Sequence, residues 1–206
     1  MKVSVIIPFR HDRGWLNQAI NSVERQTYND VELIISQGKF NKSINFNKGV
    51  EQSSGDLIKY LDEDDVLPPN AIEQSVKAFK SKEVDFIHGN SKEFRGDIVS
   101  TGFVYKPLVK SVNIENMLTT NYIHGGTLMY RKEVFEQMGM FNETLWTGEE
   151  YEFNLRCLYH GLRCDYVDAT LYYYRRHTKQ KSVGNQDKNY QKMRKEQIDI
   201  IKNWYR

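Results

Sequence analysis

Four short runs of β-branched and large apolar residues punctuate residues 1–90: Val3-Ser4-Val5-Ile6-Ile7, Val31-Glu32-Leu33-Ile34-Ile35, Asp56-Leu57-Ile58-Lys59-Tyr60-Leu61 and Val84-Asp85-Phe86-Ile87-His88. The first lacks the polar–apolar alternation of a half-exposed strand, so it reads as a strand covered on both faces. Between the runs, apolar residues recur at helical spacing. Trp15, Leu16, Ala19, Ile20 and Val23 form one such stripe, and a weaker helix covers 43–53 and stops near Gly55. Ile72, Val76 and Phe79 form another behind Pro68-Pro69, because proline is tolerated in a first turn. This alternation predicts an α/β fold with parallel strands joined by right-handed crossovers. The second half reads as a mixed sheet. A strand is expected near Phe103-Val104-Tyr105, then a helix over 113–119, a strand over 127–130 and helices over 131–138 and 148–160. One or two strands over 164–174 and a last helix over 188–206 complete the chain. No repeat or linker interrupts it, so a single domain over 1–206 is expected.

Composition narrows the class. At 206 residues, 39% apolar and 27% charged, the chain can bury its own core and is neither disordered nor low-complexity. Its 2 cysteines have no disulfide or zinc-ligand spacing. No apolar run nears the ~18 residues of a membrane span, and the opening strand, stopped by Pro8, is too short for a signal peptide. A cytoplasmic protein is the expectation. The net charge is +2, yet residues 175–206 hold ten bases against three acids, a net +7, which leaves −5 on the rest. Such a tail fits phosphate on a ligand or an anionic membrane at its inner face, against the plainer reading of a solvated helix face. Its aromatic stripe of Tyr190, Met193, Ile198, Ile201 and Trp204-Tyr205 favours docking on the body.

Leu61-Asp62-Glu63-Asp64-Asp65 places four acids directly after the third strand. Ligands in open α/β sheets gather outside the carboxyl ends of the strands. Clustered like charges raise one another's pKa unless a cation compensates, and oxygen ligands select a hard ion, Mg²⁺ or Mn²⁺. An acidic loop that merely caps the next helix is the competing reading. A second group, Gly148-Glu149-Glu150-Tyr151-Glu152, lies at a predicted helix N-terminus, which favours the anion; one such carboxylate facing a cleft is a candidate general base. Trp146 beside it is suited either to stacking on a sugar ring or to anchoring the core.

Taken in order, these segments resemble the family-two glycosyltransferases, nearly end to end. Val3 to Phe9 resembles the opening strand of that family, and Ala19 to Tyr28 its first helix with the Gln26-Thr27 that ends it. Asn47-Lys48-Gly49 with Ser54-Gly55-Asp56 resembles the segment entering its third strand, and Leu61-Asp62-Glu63-Asp64-Asp65 resembles its metal motif. Gly139-Met140-Phe141-Asn142-Glu143 and the Gly148–Arg156 segment resemble its acceptor side, and Leu171 to His177 its closing strand. The resemblance implies a single-domain A-type nucleotide-sugar fold: a Rossmann-like parallel half over 1–100 that binds nucleotide sugar and metal, an acceptor-side half over 101–186, and a basic amphipathic helix over 187–206. It implies an inverting, metal-dependent, hexosyltransferase-like enzyme of bacterial surface polysaccharide or glycoconjugate assembly. Its partners would be a nucleotide-sugar donor and a carbohydrate or lipid-linked acceptor, with a homodimer and peripheral membrane contact as further expectations. The implied nucleotide-sugar contacts are Pro8, Phe9, Arg10, Ser36, Phe46, Asn47, Asp62 and Glu63. Asp62, Asp64 and His177 would hold the divalent metal, Mn²⁺ or Mg²⁺, with Asp65 as an outer acid. Glu150, with Glu149 beside it, would be the base, and Trp146, Arg175 and Arg176 would serve the acceptor or a lid. The basic run Arg175, Arg176, His177, Lys179 and Lys181, next to Ser182-Val183-Gly184-Asn185, itself reads as a mobile loop that closes over the diphosphate, against the plainer reading of a basic connector to the last helix.

Two positions depart from the family's pattern. No carboxylate follows Ile35, where Ser36-Gln37-Gly38 stands, and Phe46 replaces an arginine often found before Asn47. Hydrogen bonds from Asn or Gln, or a stacked Phe46, would then serve base recognition. A non-catalytic nucleotide- or carbohydrate-binding module of the same fold is the alternative. A nicotinamide enzyme would need a G-x-G-x-x-G turn where Pro8-Phe9-Arg10-His11-Asp12 stands, and a nuclease would need dispersed acids and a basic track, so no nucleic-acid partner is expected.

Overall fold

The computed structural model describes the chain except residues 40, 82, 97–101, 179 and 181–187. The expected elements form in the expected order: β1 (Val3–Phe9), α1 (Leu16–Glu24), β2 (Val31–Gln37), α2 (Lys42–Gln52), β3 (Leu57–Tyr60), α3 (Ala71–Ala78) and β4 (Phe86–Phe94). Then come β5 (Val104–Tyr105), α4 (Ile114–Thr119), a 3₁₀ turn (Gly125–Thr127), β6 (Met129–Arg131), α5 (Lys132–Met138), α6 (Glu149–Tyr159), β7 (Cys164–Arg175) and α7 (Lys188–Asn203).

One mixed sheet runs β2-β1-β3-β6-β4-β5, with β7 parallel along β4. β1 pairs in parallel with both β2 and β3. β6 then enters between β3 and β4, antiparallel to each. The local pattern of the first ninety residues does not contain that insertion, because β6 comes from residues 129–131.

Period-2 alternation explains why β1 is buried throughout. Val3, Val5 and Ile7 join α1 and α3 in one apolar cluster, while Ile6 joins Phe46 and Val50 of α2 in another. The second cluster continues through Phe135, Phe141 and Phe153, where α5 and α6 pack. Phe46 therefore belongs to the core: it is fully buried, stacked 4.6 Å from Phe141 and edge-on to Tyr60 at 5.4 Å. The expected base-stacking role is corrected by that burial. Asn47 is likewise structural, with Nδ2 donating to the Phe141 carbonyl and Oδ1 accepting from the Phe141 N–H.

α7 docks on the body through Ile201, which is buried, and Ile198; Tyr205, just past its end, packs against the same cluster. Met193 and Trp204 of the expected stripe stay exposed at 55% and 49%, so the docking face is narrower than the sequence pattern. Among the described residues, no helix is long and apolar enough to cross a membrane.

Candidate functional site

A crevice of about 810 Å³ opens at the carboxyl ends of β1 and β3, and both acidic groups line it. On one rim stand Pro8, Phe9, Arg10 and the acids Asp62 to Asp65, and on the other Gly148, Glu149 and Glu150. Its size lies within the roughly 300–1,000 Å³ usual for ligand pockets.

The first rim leaves β3 as a loop and is tied at once to β7. Asp65 is buried, and its carboxylate accepts hydrogen bonds from the Arg175 N–H at 2.7 Å and the Tyr172 hydroxyl at 2.8 Å. Arg175 Nε donates to the Asp64 carbonyl at 2.7 Å, and its other nitrogens reach the Gly96 carbonyl and Gln18. Arg175 is 1% exposed and lies over the Phe94 ring at 4.5 Å. It is a brace inside the fold, which corrects its expected place on a lid; Lys179 and the segment from Lys181 to Asn185 of that expected lid lie outside the described residues. Glu63 pairs with Arg13, and His177 Nε2 sits 3.0 Å from Asp64 Oδ2 with its ring 4.2 Å from Trp15.

One carboxylate oxygen of each of Asp62, Glu63 and Asp64 lies within 4.8 Å of the others. Burial holds Asp62 above its ordinary carboxylate range; Lys42 opposes the shift and Asp64 adds to it. Burial, then Asp64 and Asp62, likewise raise Glu63, against Arg13. An oxygen-only set under such mutual repulsion fits a hard divalent cation.

The second rim is the start of α6. Gly148 adopts φ +78°, and a Cβ there would come 2.9 Å from Ile198 Cδ1, so glycine lets α7 close against this turn. Glu149 is buried and Glu150 half-buried in the first turn, where unpaired backbone N–H groups favour carboxylate anions.

Lys42 joins the rims. Its Nζ lies 2.8 Å from Glu150 Oε1, 3.8 Å from Glu149 Oε1 and 3.5 Å from Asp62 Oδ1. Burial opposes its charge, but Asp62, Glu150 and Glu149 outweigh burial and hold the ammonium well above its usual value. Tyr60 donates to Asp62 from beneath, with Lys42 Nζ 4.5 Å over its ring.

Of the residues singled out in the sequence, Pro8, Phe9, Arg10, Asp62, Glu63, Asp64, Glu149, Glu150 and Arg176 line the crevice. Ser36, Phe46, Asn47, Trp146, Arg175 and His177 are not among its lining residues. Ser36 is buried on β2 beside Pro8. Trp146 meets Tyr190 of α7 edge-on at 5.6 Å, and Tyr190 is the ring that reaches the crevice. Sequence reasoning missed Arg13, Lys42, Asn45, His124, Tyr190 and Arg194. Lys42 did leave a signal: it opens α2, and a cation in a first turn opposes the helix dipole unless acids lie close by. Asn45 is oriented by Nδ2 donating to the Phe9 and Gly38 carbonyls.

A sequence profile described as Glycosyl transferase family 2 matches residues 36–139. An uncharacterised glycosyltransferase of Haemophilus influenzae is 26% identical over 232 residues, covering 98% of this chain and 76% of its own. One of Rickettsia conorii is 25% identical over 183 residues, covering 73% of this chain, which spans 30% of that relative's length. Among solved structures, S. aureus TarS aligns with a TM-score of 0.68 at 18% identity, over 86% of this chain and 37% of TarS. TarS 1–349 has also been solved with UDP and with UDP-GlcNAc. At that identity the likeness shows the fold, an A-type nucleotide-sugar fold.

Proposed function

The chain belongs to glycosyl transferase family 2, and on that footing we propose that it moves a sugar, with inversion, from a nucleoside diphosphate donor to an acceptor hydroxyl. The UDP and UDP-GlcNAc complexes of TarS support the donor class. A setting in bacterial surface polysaccharide or glycoconjugate assembly is part of the same proposal; the relatives above are bacterial glycosyltransferases.

One observation carries this reading: Lys42 spans 3.5 Å to Asp62 and 2.8 Å to Glu150, so the two acidic groups face each other across one crevice. Asp62 and Asp64, with Glu63 beside them, would hold a divalent cation, Mn²⁺ or Mg²⁺, which when bound offsets charge on the departing diphosphate. Arg10 adds positive charge beside Pro8 and Phe9, where Arg13, paired with Glu63, also lines the crevice. The Glu150 carboxylate, favoured as an anion at the α6 N-terminus and by Lys42, takes the acceptor hydroxyl's proton. The acceptor oxygen bonds to the anomeric carbon as the carbon–oxygen bond to the phosphate breaks, and that bond's electron pair leaves on the nucleoside diphosphate. Attack from the face opposite the leaving group inverts the centre, the same opposed geometry that inverting glycosidases use with water.

A thermal-shift screen of nucleoside diphosphates and nucleotide sugars, with and without Mn²⁺ or Mg²⁺, tests the reading. Ligand binding raises stability by RT ln(1 + [L]/Kd), so a preferred base stands out. Metal-dependent stabilisation that Asp64→Asn abolishes is the expected result. A wild-type chain that no nucleotide stabilises overturns it, and a nucleotide-binding chain that never hydrolyses or transfers the sugar reduces it to a binding module.

A further inference from the structure

A second cavity of about 260 Å³ opens beside the crevice and shares with it a wall made of Ile123, His124 and Tyr174. Opposite that wall stand Glu93 of β4 and the aromatic pair Phe103 and Tyr105 at β5. We propose that this cavity is the acceptor subsite and that it seats a sugar ring, so that the acceptor is a saccharide. The proposal rests on the transfer reading above and names its substrate class.

Position is the first support. Gly125 follows the shared-wall residue His124, and a Cβ built on it would come 3.3 Å from Glu150 Oε1. Glu150 thus stands one residue behind the shared wall, with Asp62 beyond it on the far side of Lys42. In this assignment a hydroxyl of the seated ring is the one that Glu150 deprotonates.

Chemistry is the second. Phe103, Tyr105 and Tyr174 offer aromatic surface, and Glu93 offers a carboxylate beside it. A sugar presents an apolar C–H face and a hydroxyl edge, which that combination satisfies together. The Glu93 carboxylate, 3.8 Å from Arg176 Nε, keeps lone pairs to accept from a sugar hydroxyl, which an aliphatic chain would leave unused. Phe103 is 73% exposed at the mouth, a large apolar side chain left open to solvent. The volume falls just below the ~300 Å³ at which ordinary ligand pockets begin, which suits one ring.

Rigidity is the third. Lys59 Nζ donates to the Gly126 carbonyl at 2.5 Å and the Leu128 carbonyl at 3.1 Å, which fastens the turn behind the wall to β3. His124 Nδ1 accepts from the Gly126 N–H, and a Cβ at Gly126 would lie 2.3 Å from the Tyr172 ring. A wall fixed before the ligand arrives reduces the ordering cost of binding.

Saturation-transfer NMR tests the assignment, with UDP and Mg²⁺ present and methyl glucoside, galactoside and N-acetylglucosaminide as probes, and decyl phosphate as the lipid-like competitor. At least one hexoside should show transfer to its ring protons, weakened about tenfold in affinity by Phe103→Ala and by Tyr105→Ala. Glu93→Gln, which keeps the aromatic packing, should weaken it less, and Leu108→Ala, on a side chain 91% exposed, not at all. Unfolding midpoints check that each variant is folded. No hexoside contact with the wild type, equal contact in both aromatic variants, or loss confined to decyl phosphate overturns the proposal. Hexoside contact through Tyr105 in a chain that no nucleotide stabilises would instead sink the transfer reading and leave the cavity's ligand class intact.

Discussion

Asp64 and Asp65 leave β3 and are pinned within two residues to β7, through the Arg175 backbone and side chain and the Tyr172 hydroxyl. Glu149 and Glu150 carry the same chemistry across the crevice but are set by a helix end: a left-handed glycine, the packing of α7 on that glycine, and the Lys42 ammonium. The difference matches the work proposed for each rim. A rim that receives a charged diphosphate and a cation gains from donors and acceptors fixed in advance. A rim that accepts a proton gains from a carboxylate whose ionisation a neighbouring charge can tune.

The largest expected effect removes the base alone. Glu150→Gln should lower turnover by roughly 10²–10⁴-fold, the usual contribution of a positioned base, while nucleotide-sugar binding by thermal shift persists. Transfer at the wild-type rate would show that the second rim has no proton-accepting role.

Next comes the brace of the first rim. Arg175→Met leaves the buried Asp64 carbonyl without its donor, removes the bond to the Gly96 carbonyl, and should cost about 3 kcal/mol in urea unfolding, with nucleotide affinity falling alongside. A loss under about 1 kcal/mol would mean that β7 does not fix this rim.

Acidification should separate the rims. Burial pushes His124 down to about 4, so it is neutral in the folded chain, whereas an unfolded histidine titrates near 6.5. Between those values the unfolded chain binds the additional proton, and stability falls as pH drops from about 6.5 to about 4, by no more than about 3 kcal/mol from this residue. His124→Asn keeps a capping acceptor but removes the titration, and its unfolding midpoint should depend less on pH across that window. An unchanged pH slope counts against His124 as the source.

The smallest effect sharpens the role of Lys42. Lys42→Met removes the positive charge 2.8 Å from Glu150, so the acid limb of the activity profile should move to higher pH and kcat/KM near neutrality should fall about tenfold. An unmoved limb would make Lys42 a packing residue.

Much of the fold was legible because its signals are local. β1 to β3 and the helices between them follow from β-branched runs and helical periodicity, and α6 starts where Gly148 is followed by acids. The acidic loop at the end of β3 could be placed at the crevice in advance, because ligands gather at that end of such sheets. Phe46 and Asn47 could not be assigned that way. Both sit on α2, and whether a helical residue faces crevice or core depends on Phe141 and Glu143, more than ninety residues away. Arg175 and Arg176 are neighbours of like charge, yet one is sealed under Asp64 and the other lines the crevice: successive residues of extended chain point to opposite sides, and Arg176 stands just past the end of β7.

By itself, then, the sequence determined the strand–helix order, the parallel half of the sheet and the two acidic segments, since each depends on residues within a few positions of one another. Only the tertiary structure decided that β6 would split the sheet, that Arg175 would brace rather than bind, and that Lys42 would stand between the acids. The last two rest on contacts between residues 108 and 111 positions apart, Lys42 with Glu150 and Arg175 with Asp64. Local propensity carries no information across such separations; burial and charge balance, which act only once the chain has closed, set them.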